Sequence, residues 1–225
     1  MDLLTPDDWT AVALSLRVAA VATVFGLPLA FVTALALARG RFPGRSLLDA
    51  LAHLPLVLPP VATGFVLLML FGRQGLLGAG LAKLGIVFAF NWTGAALAAA
   101  VMAFPLMVRP MRLAIEAIDP TVDEAARTLG AGALQRLARV TLPLAAPGVL
   151  ASAVLGFAKA LGEFGATITF VAAIPGLTLT LPADIYQSVQ TPGAEARVWV
   201  LCALSAAIAL GAVWASNVLL PRRGR

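Results

Sequence analysis

The sequence predicts an all-α membrane protein, a polytopic helical bundle with five transmembrane helices. Of its 225 residues, 60% are hydrophobic and 12% charged, whereas a soluble domain carries about 25% charged residues. The apolar residues gather in five long runs, at about 11–38, 51–71, 86–108, 144–171 and 198–220, and a bilayer span needs roughly 20 such residues. None of the runs alternates with a period of two, so the backbone must satisfy its hydrogen bonds within helices and not within a barrel.

The first run follows an acidic flank, Asp2, Asp7 and Asp8. A signal peptide needs a basic flank and a shorter apolar stretch, so this run is expected to be a span. Arg17 lies about two turns inside it and is expected to snorkel outward. The second run holds Pro55, Pro59 and Pro60, which should bend it, and bends line cavities. The fourth exceeds the minimum length and contains Gly162-Glu163-Phe164-Gly165, where a break is expected. Within it Lys159 and Glu163 are four apart and face each other on a helix. Intramembrane charges face a bundle interior or a water-filled path, so the two are read as a structural pair or as pathway residues. Tyr186 and Trp199 flank the outer end of the fifth run, where aromatic side chains anchor at an interface.

Arginine placement sets the orientation. Arg39, Arg41, Arg45, Arg109, Arg112, Arg127, Arg136, Arg139, Arg222, Arg223 and Arg225 fall on one side, against Arg73, Lys83 and Arg197 on the other. Eleven against three puts the N-terminus outside and the C-terminus in the cytoplasm, which an odd number of spans satisfies. The net charge of +5 is thereby explained without nucleic acid. The single Cys202 forms no internal disulfide, and the single His53, read as a packing or interfacial residue, excludes a histidine-cluster metal site. No catalytic residues are expected. Residues 11–220 form one membrane domain, preceded by segment 1–10 and followed by tail 221–225.

The loop at 116–143 is the one long polar stretch. Asp119-Pro120 should open a helix, with Asp as cap and Pro at the first helical position. Asp123 and Glu124 suit its positive end, and Gly130 suits a left-handed stop. A second helix is expected over 133–140, with Leu142-Pro143 starting the next span. Two short helices meeting at a glycine turn make a knob that a partner can grip.

The loop reads EAARTLGAGALQRLARVTLP from Glu124 to Pro143. It resembles the EAA loop of ABC-importer permeases at Glu124, Ala125, Ala126, Gly130, Val140, Leu142 and Pro143, with Val140 where the family usually has Ile. The stretches HLPLVLPPVATG (53–64), FPLMVR (104–109), RTLGAG (127–132) and LGEFGATITFVAAIPGLTLTLPADIYQSVQTPGAE (161–195) resemble bacterial molybdate permeases of the ModB family. Sulfate permeases share the GE-aromatic-G segment and diverge after it. The resemblance implies an ABC type I importer permease fold in the bacterial inner membrane, with segment 1–10 in the periplasm. It further implies a homodimer, two copies of a separate ATP-binding subunit gripping the loop through Glu124 and Gly130, and a periplasmic molybdate-binding protein. ATP and Mg would be used by the partner ATPase, and no cofactor would be bound by this chain, which has no phosphate-cradling G-x-x-x-x-G-K-[ST] run. Asp184, Tyr186 and Gln190 are candidate contacts for the binding protein. Tungstate or sulfate are alternative cargoes. An ATP-independent secondary transporter would have no need of the EAA loop, and an intramembrane enzyme would need a nucleophile–base pair that these spans lack.

Overall fold

A computed structural model describes residues 4–219; the expected tail 221–225 and its arginines lie outside them. Helix α1, Pro6–Arg39, opens with a capping box in which Thr5 and Asp8 satisfy each other's backbone N–H groups. Its 34 residues extend about 50 Å, so it must tilt to fit a hydrocarbon layer of about 30 Å. Helices α2, Arg45–Val57, and α3, Pro60–Phe71, follow. A short α4, Gly78–Lys83, leads to α5, Trp92–Glu116, and then come α6, Pro120–Thr128, and α7, Ala133–Arg136. A π-helical turn, Leu137–Thr141, joins α7 to α8, Leu142–Leu161. Then follow α9, Gly165–Val171, α10, Leu181–Val189, and α11, Glu195–Leu219.

Four of these helical stretches, Pro6–Arg39, Trp92–Glu116, Ala133–Leu161 and Glu195–Ala212, are long and apolar enough to cross a membrane. The expected second span is not one helix. It is the α2–α3 pair, bent by 116° between Val57 and Pro60. Pro59 and Pro60 remove two consecutive N–H donors, and proline pushes the residue before it into extended backbone. Leu58 accordingly has ψ 141° and Pro59 ψ 135°. The third span begins later than the apolar run, because Gly85 and Phe90 both take positive φ (77° and 57°) and Asn91 caps α5. That helix runs on to Glu116, so Arg109 and Arg112 sit on its last turns and not in a loop. The fourth run breaks between Leu161 and Gly165, as its sequence predicts.

The core is a tight trio of α1, α5 and α8. Without a strong hydrophobic drive between helices in lipid, close packing of small residues holds them. Ala19, Ala22, Ala30 and Ala34 of α1 and Ala95, Ala98, Ala99 and Ala103 of α5 are fully or almost fully buried. Ser152 of α8 donates to the Met107 carbonyl of α5 at 2.7 Å. A Cβ on Gly148 would lie 2.3 Å from Ala114 Cβ and 2.9 Å from the Pro110 carbonyl oxygen, so α5 and α8 nearly touch there. We expect Gly148→Leu to force these helices apart, at a cost of about 1–3 kcal/mol, visible as a lowered Tm in detergent. Gly80→Ala, where nothing lies within 4 Å of the new methyl, should leave Tm unchanged.

Candidate functional site

The loop at 116–143 takes the expected form at its start. Asp119 caps α6, its Oδ1 accepting from the Thr121 N–H at 2.9 Å and the Thr121 hydroxyl at 2.8 Å. These bonds hold the Asp119 carboxyl below the usual carboxylate range, the backbone bond first. Gly130 sits at φ 83°, the left-handed conformation that its residue type permits. The second half of the loop differs from expectation. The helix from Ala133 does not stop before the span but continues into it as one stretch to Leu161. Pro143 cannot donate to a carbonyl one turn back, and the backbone widens just before it, with the Leu142 N–H reaching the Leu137 carbonyl five residues away. The loop and the membrane helix are therefore continuous.

The knob is held by Asp123, whose Oδ1 lies 3.3 Å from both Arg39 of α1 and Arg136 of α7. Arg136 also donates to the Ala131 carbonyl at 3.0 Å. Neither partner of Asp123 was legible in the sequence; Arg39 is 84 residues away. Glu124, Ala125 and Gly130 are exposed, Ala126 is half-buried, and Leu142 and Pro143 are exposed. At the tip Leu129 and Leu134 are 88% and 78% exposed. Two bare leucines beside charged residues on a polar knob have the make-up of a protein contact.

The two breaks meet inside the molecule. A Cβ on Gly64 of α3 would lie 2.5 Å from the Ala166 carbonyl oxygen of α9, and one on Gly165 would lie 2.7 Å from Pro60 Cβ. Helices α3 and α9 thus pack backbone to backbone, and VATG of one stretch fits GATITF of the other. Beside this junction Lys159 Nζ lies 2.5 Å from Glu163 Oε2. The other oxygen of Glu163 accepts from the Ala166 N–H at 3.0 Å, at the start of α9. The Glu163 side chain is 1% exposed and that of Lys159 30%. The structure therefore pairs the two residues. FPLMVR lies in the core of α5, where Met107 fills the space left by Gly26 and Gly156.

The three candidate contacts on and just after α10 separate. Tyr186 and Gln190 are exposed, with Tyr186 leaning on Phe164 at 4.8 Å between ring centroids. Asp184 is 2% exposed and is no surface contact. It points inward to Arg197, whose Nη2 donates to Asp184 Oδ1 at 3.0 Å and to Asp8 Oδ1 at 2.6 Å. Arg197 thus serves as an internal partner and not as a free loop charge. Arg17, expected to snorkel, stacks over the Trp92 ring at 3.7 Å. His53 faces a polar groove between α2 and α5, its Nδ1 3.1 Å from Asp49, which pairs with Arg112 at 3.0 Å. No cluster of His, Cys, Asp or Glu fit to hold a metal occurs among the described residues.

Comparison with known proteins gives this arrangement a lineage. The family model described as binding-protein-dependent transport system inner membrane component matches residues 26–225. The chain is 50% identical over 228 aligned positions to the molybdenum transport system permease protein ModB of Escherichia coli strain K12, covering 99% of this chain and 100% of that one. The sulfate transport system permease protein CysT of Salmonella typhimurium is more distant, at 36% identity over 100% of this chain and 81% of its own length. A crystal structure of a bacterial alginate ABC transporter, in complex with its alginate pentasaccharide-bound periplasmic protein, superposes with a TM-score of 0.78 at 18% identity, over 97% of this chain and 80% of that one. The chain belongs to the family of binding-protein-dependent transport system inner membrane components, the permease subunits of ABC importers, and within it to the ModB-type permeases.

Proposed function

We propose that this chain is the membrane-spanning permease subunit of an ATP-driven molybdate importer, working as a homodimer. The observation that carries the cargo is the 50% identity to a molybdenum permease along the whole chain, against 36% to a sulfate permease. The mechanism follows from the loop. Two copies of a separate ATP-binding subunit grip the knob at Glu124, Ala125, Ala126 and Gly130, with Leu129 and Leu134 buried in the contact. ATP and Mg act on that subunit and not on this chain. Because α7 runs unbroken into α8, a displacement of the knob moves the span that carries Lys159. Asp123, tied to Arg39 and Arg136, passes the same displacement to α1. A periplasmic molybdate-binding protein docks on the opposite side, where Tyr186 and Gln190 are exposed, and releases its anion between the two copies.

Co-purification tests the assembly. The tagged chain should recover the ATP-binding subunit, and Leu129→Asp with Leu134→Asp should lose that subunit while leaving the permease in the membrane. Retention of the ATPase by the double variant would remove the loop from the contact. Orientation has its own test, made in a Cys202→Ala background. Arg45→Cys should react with an impermeant maleimide only from the cytoplasmic face, and labelling from outside would reverse the topology.

A further inference from the structure

The outer ends of α1 and α11 meet α10 around a buried charge cluster that plays no part in the coupling mechanism. Asp8 is 1% exposed and Asp184 2%, and a single guanidinium, Arg197, serves both. Asp8 is fully satisfied. Its Oδ1 takes two bonds from Arg197, and its Oδ2 takes the Thr5 hydroxyl at 2.8 Å and the Thr5 N–H. Asp184 is not, because its Oδ2 is buried without a partner. Two more buried oxygens of this segment lack partners, Thr180 Oγ1 and Ser188 Oγ. Ser188 lies four residues after Asp184 on the same face of α10, and Thr180 is the extended residue just before the helix. Two buried carboxylates against one arginine leave a surplus negative charge, and an orphaned carboxylate oxygen is costly where water is excluded.

We infer that Asp184 is a proton-binding site, protonated on the carboxyl oxygen that has no partner, and that this proton clamps α10 to the starts of α1 and α11. Protonation removes the surplus charge and with it the cost of an unpartnered buried carboxylate oxygen. It leaves the stronger Asp8–Arg197 pair intact. The charged groups facing the site are Asp7 and Asp8 from α1 and Arg197 from α11, with Glu195 exposed two residues before it. Helix α10 has nine residues, too few to cross the membrane. Burial, then the bond to Asp8, pushes the Asp184 carboxyl up from 3.8 to about 6, with Arg197 pulling the other way. A carboxyl raised in the folded state binds more protons folded than unfolded between these values. The clamp is therefore at full strength below pH 3.8, weakens as pH rises, and has lost this contribution above about pH 6.

Hydrogen exchange on the full-length chain in lipid nanodiscs tests the site. After correction for intrinsic exchange, opening of the α10 amides should fall about tenfold from pH 7.5 to pH 5. Asp184→Asn should be protected at both values and show no pH response. A wild-type α10 whose opening ignores pH, or an Asn variant that keeps the response, overturns the proposal. Sodium replacing the effect of protons at pH 7.5 would also overturn it, making the site a cation site. Should the Asn variant fail to insert, infrared spectra of the wild type with carboxyl-labelled aspartate decide. A protonated-carboxyl band titrating near pH 6 supports the assignment, and no such band overturns it.

Discussion

Replacing Gly130 by valine should cut coupled transport about tenfold while leaving the permease in the membrane. The glycine sits at φ 83° with open space around it, so the strain is purely conformational. An L-residue held there costs about 1–2 kcal/mol, more when β-branched. The loop relieves that strain by changing the angle between α6 and α7, which displaces Glu124 relative to Leu134. A cost of that size lowers the docked population about tenfold. Gly130→Asn, which tolerates left-handed backbone, should retain most activity. Charge reversal at the exposed Glu124 should uncouple as well. ATPase activity stimulated by the loaded binding protein is the measurement, with membrane yield as the control. Normal stimulation in both Gly130→Val and Glu124→Lys would remove the coupling role.

The pair beside the α3–α9 junction should respond asymmetrically. Lys159→Met leaves the Glu163 carboxylate, 1% exposed, without its counter-charge. Breaking a buried pair in this way costs about 3–5 kcal/mol. Glu163→Gln is milder, because glutamine still accepts from the Ala166 N–H and Lys159, 30% exposed, can turn to a more polar surrounding. The double change should recover part of the Lys159→Met loss. Assembly yield and uptake, measured over the full double-mutant cycle, separate a structural pair from a pathway lysine. Additive losses would show no coupling. Loss of uptake at full assembly, with no rescue in the double variant, would make Lys159 a contact for the passing anion.

Local signals read well from the sequence, and long-range ones did not. The Asp119 cap, the Gly130 turn and the Lys159–Glu163 spacing each depend on neighbours within a turn or two, and each stands where the sequence placed it. The prolines at 59 and 60 announced a bend, but its 116° depends on how α3 packs against α9, some hundred residues later. Leu142-Pro143 opens α8 as the sequence predicts, but the short helix before it was expected to stop. The chain instead absorbs the proline with a π-helical turn and keeps its helix continuous. Asp184 looked like a surface residue beside Tyr186 and Gln190. Two residues along a helix turn a side chain by about 200°, and its partner Asp8–Arg197 joins positions 189 apart in sequence. No local pattern carries that information.

This chain should conduct molybdate only when a separate ATPase drives it. The most direct measurement is uptake of isotope-labelled molybdate into proteoliposomes holding the chain, its ATP-binding subunit and the molybdate-binding protein. Accumulation should require ATP inside and the binding protein outside, should fall in Gly130→Val, and should be unchanged by excess sulfate. Accumulation without the ATPase, or sulfate carried in place of molybdate under the same conditions, would contradict the account.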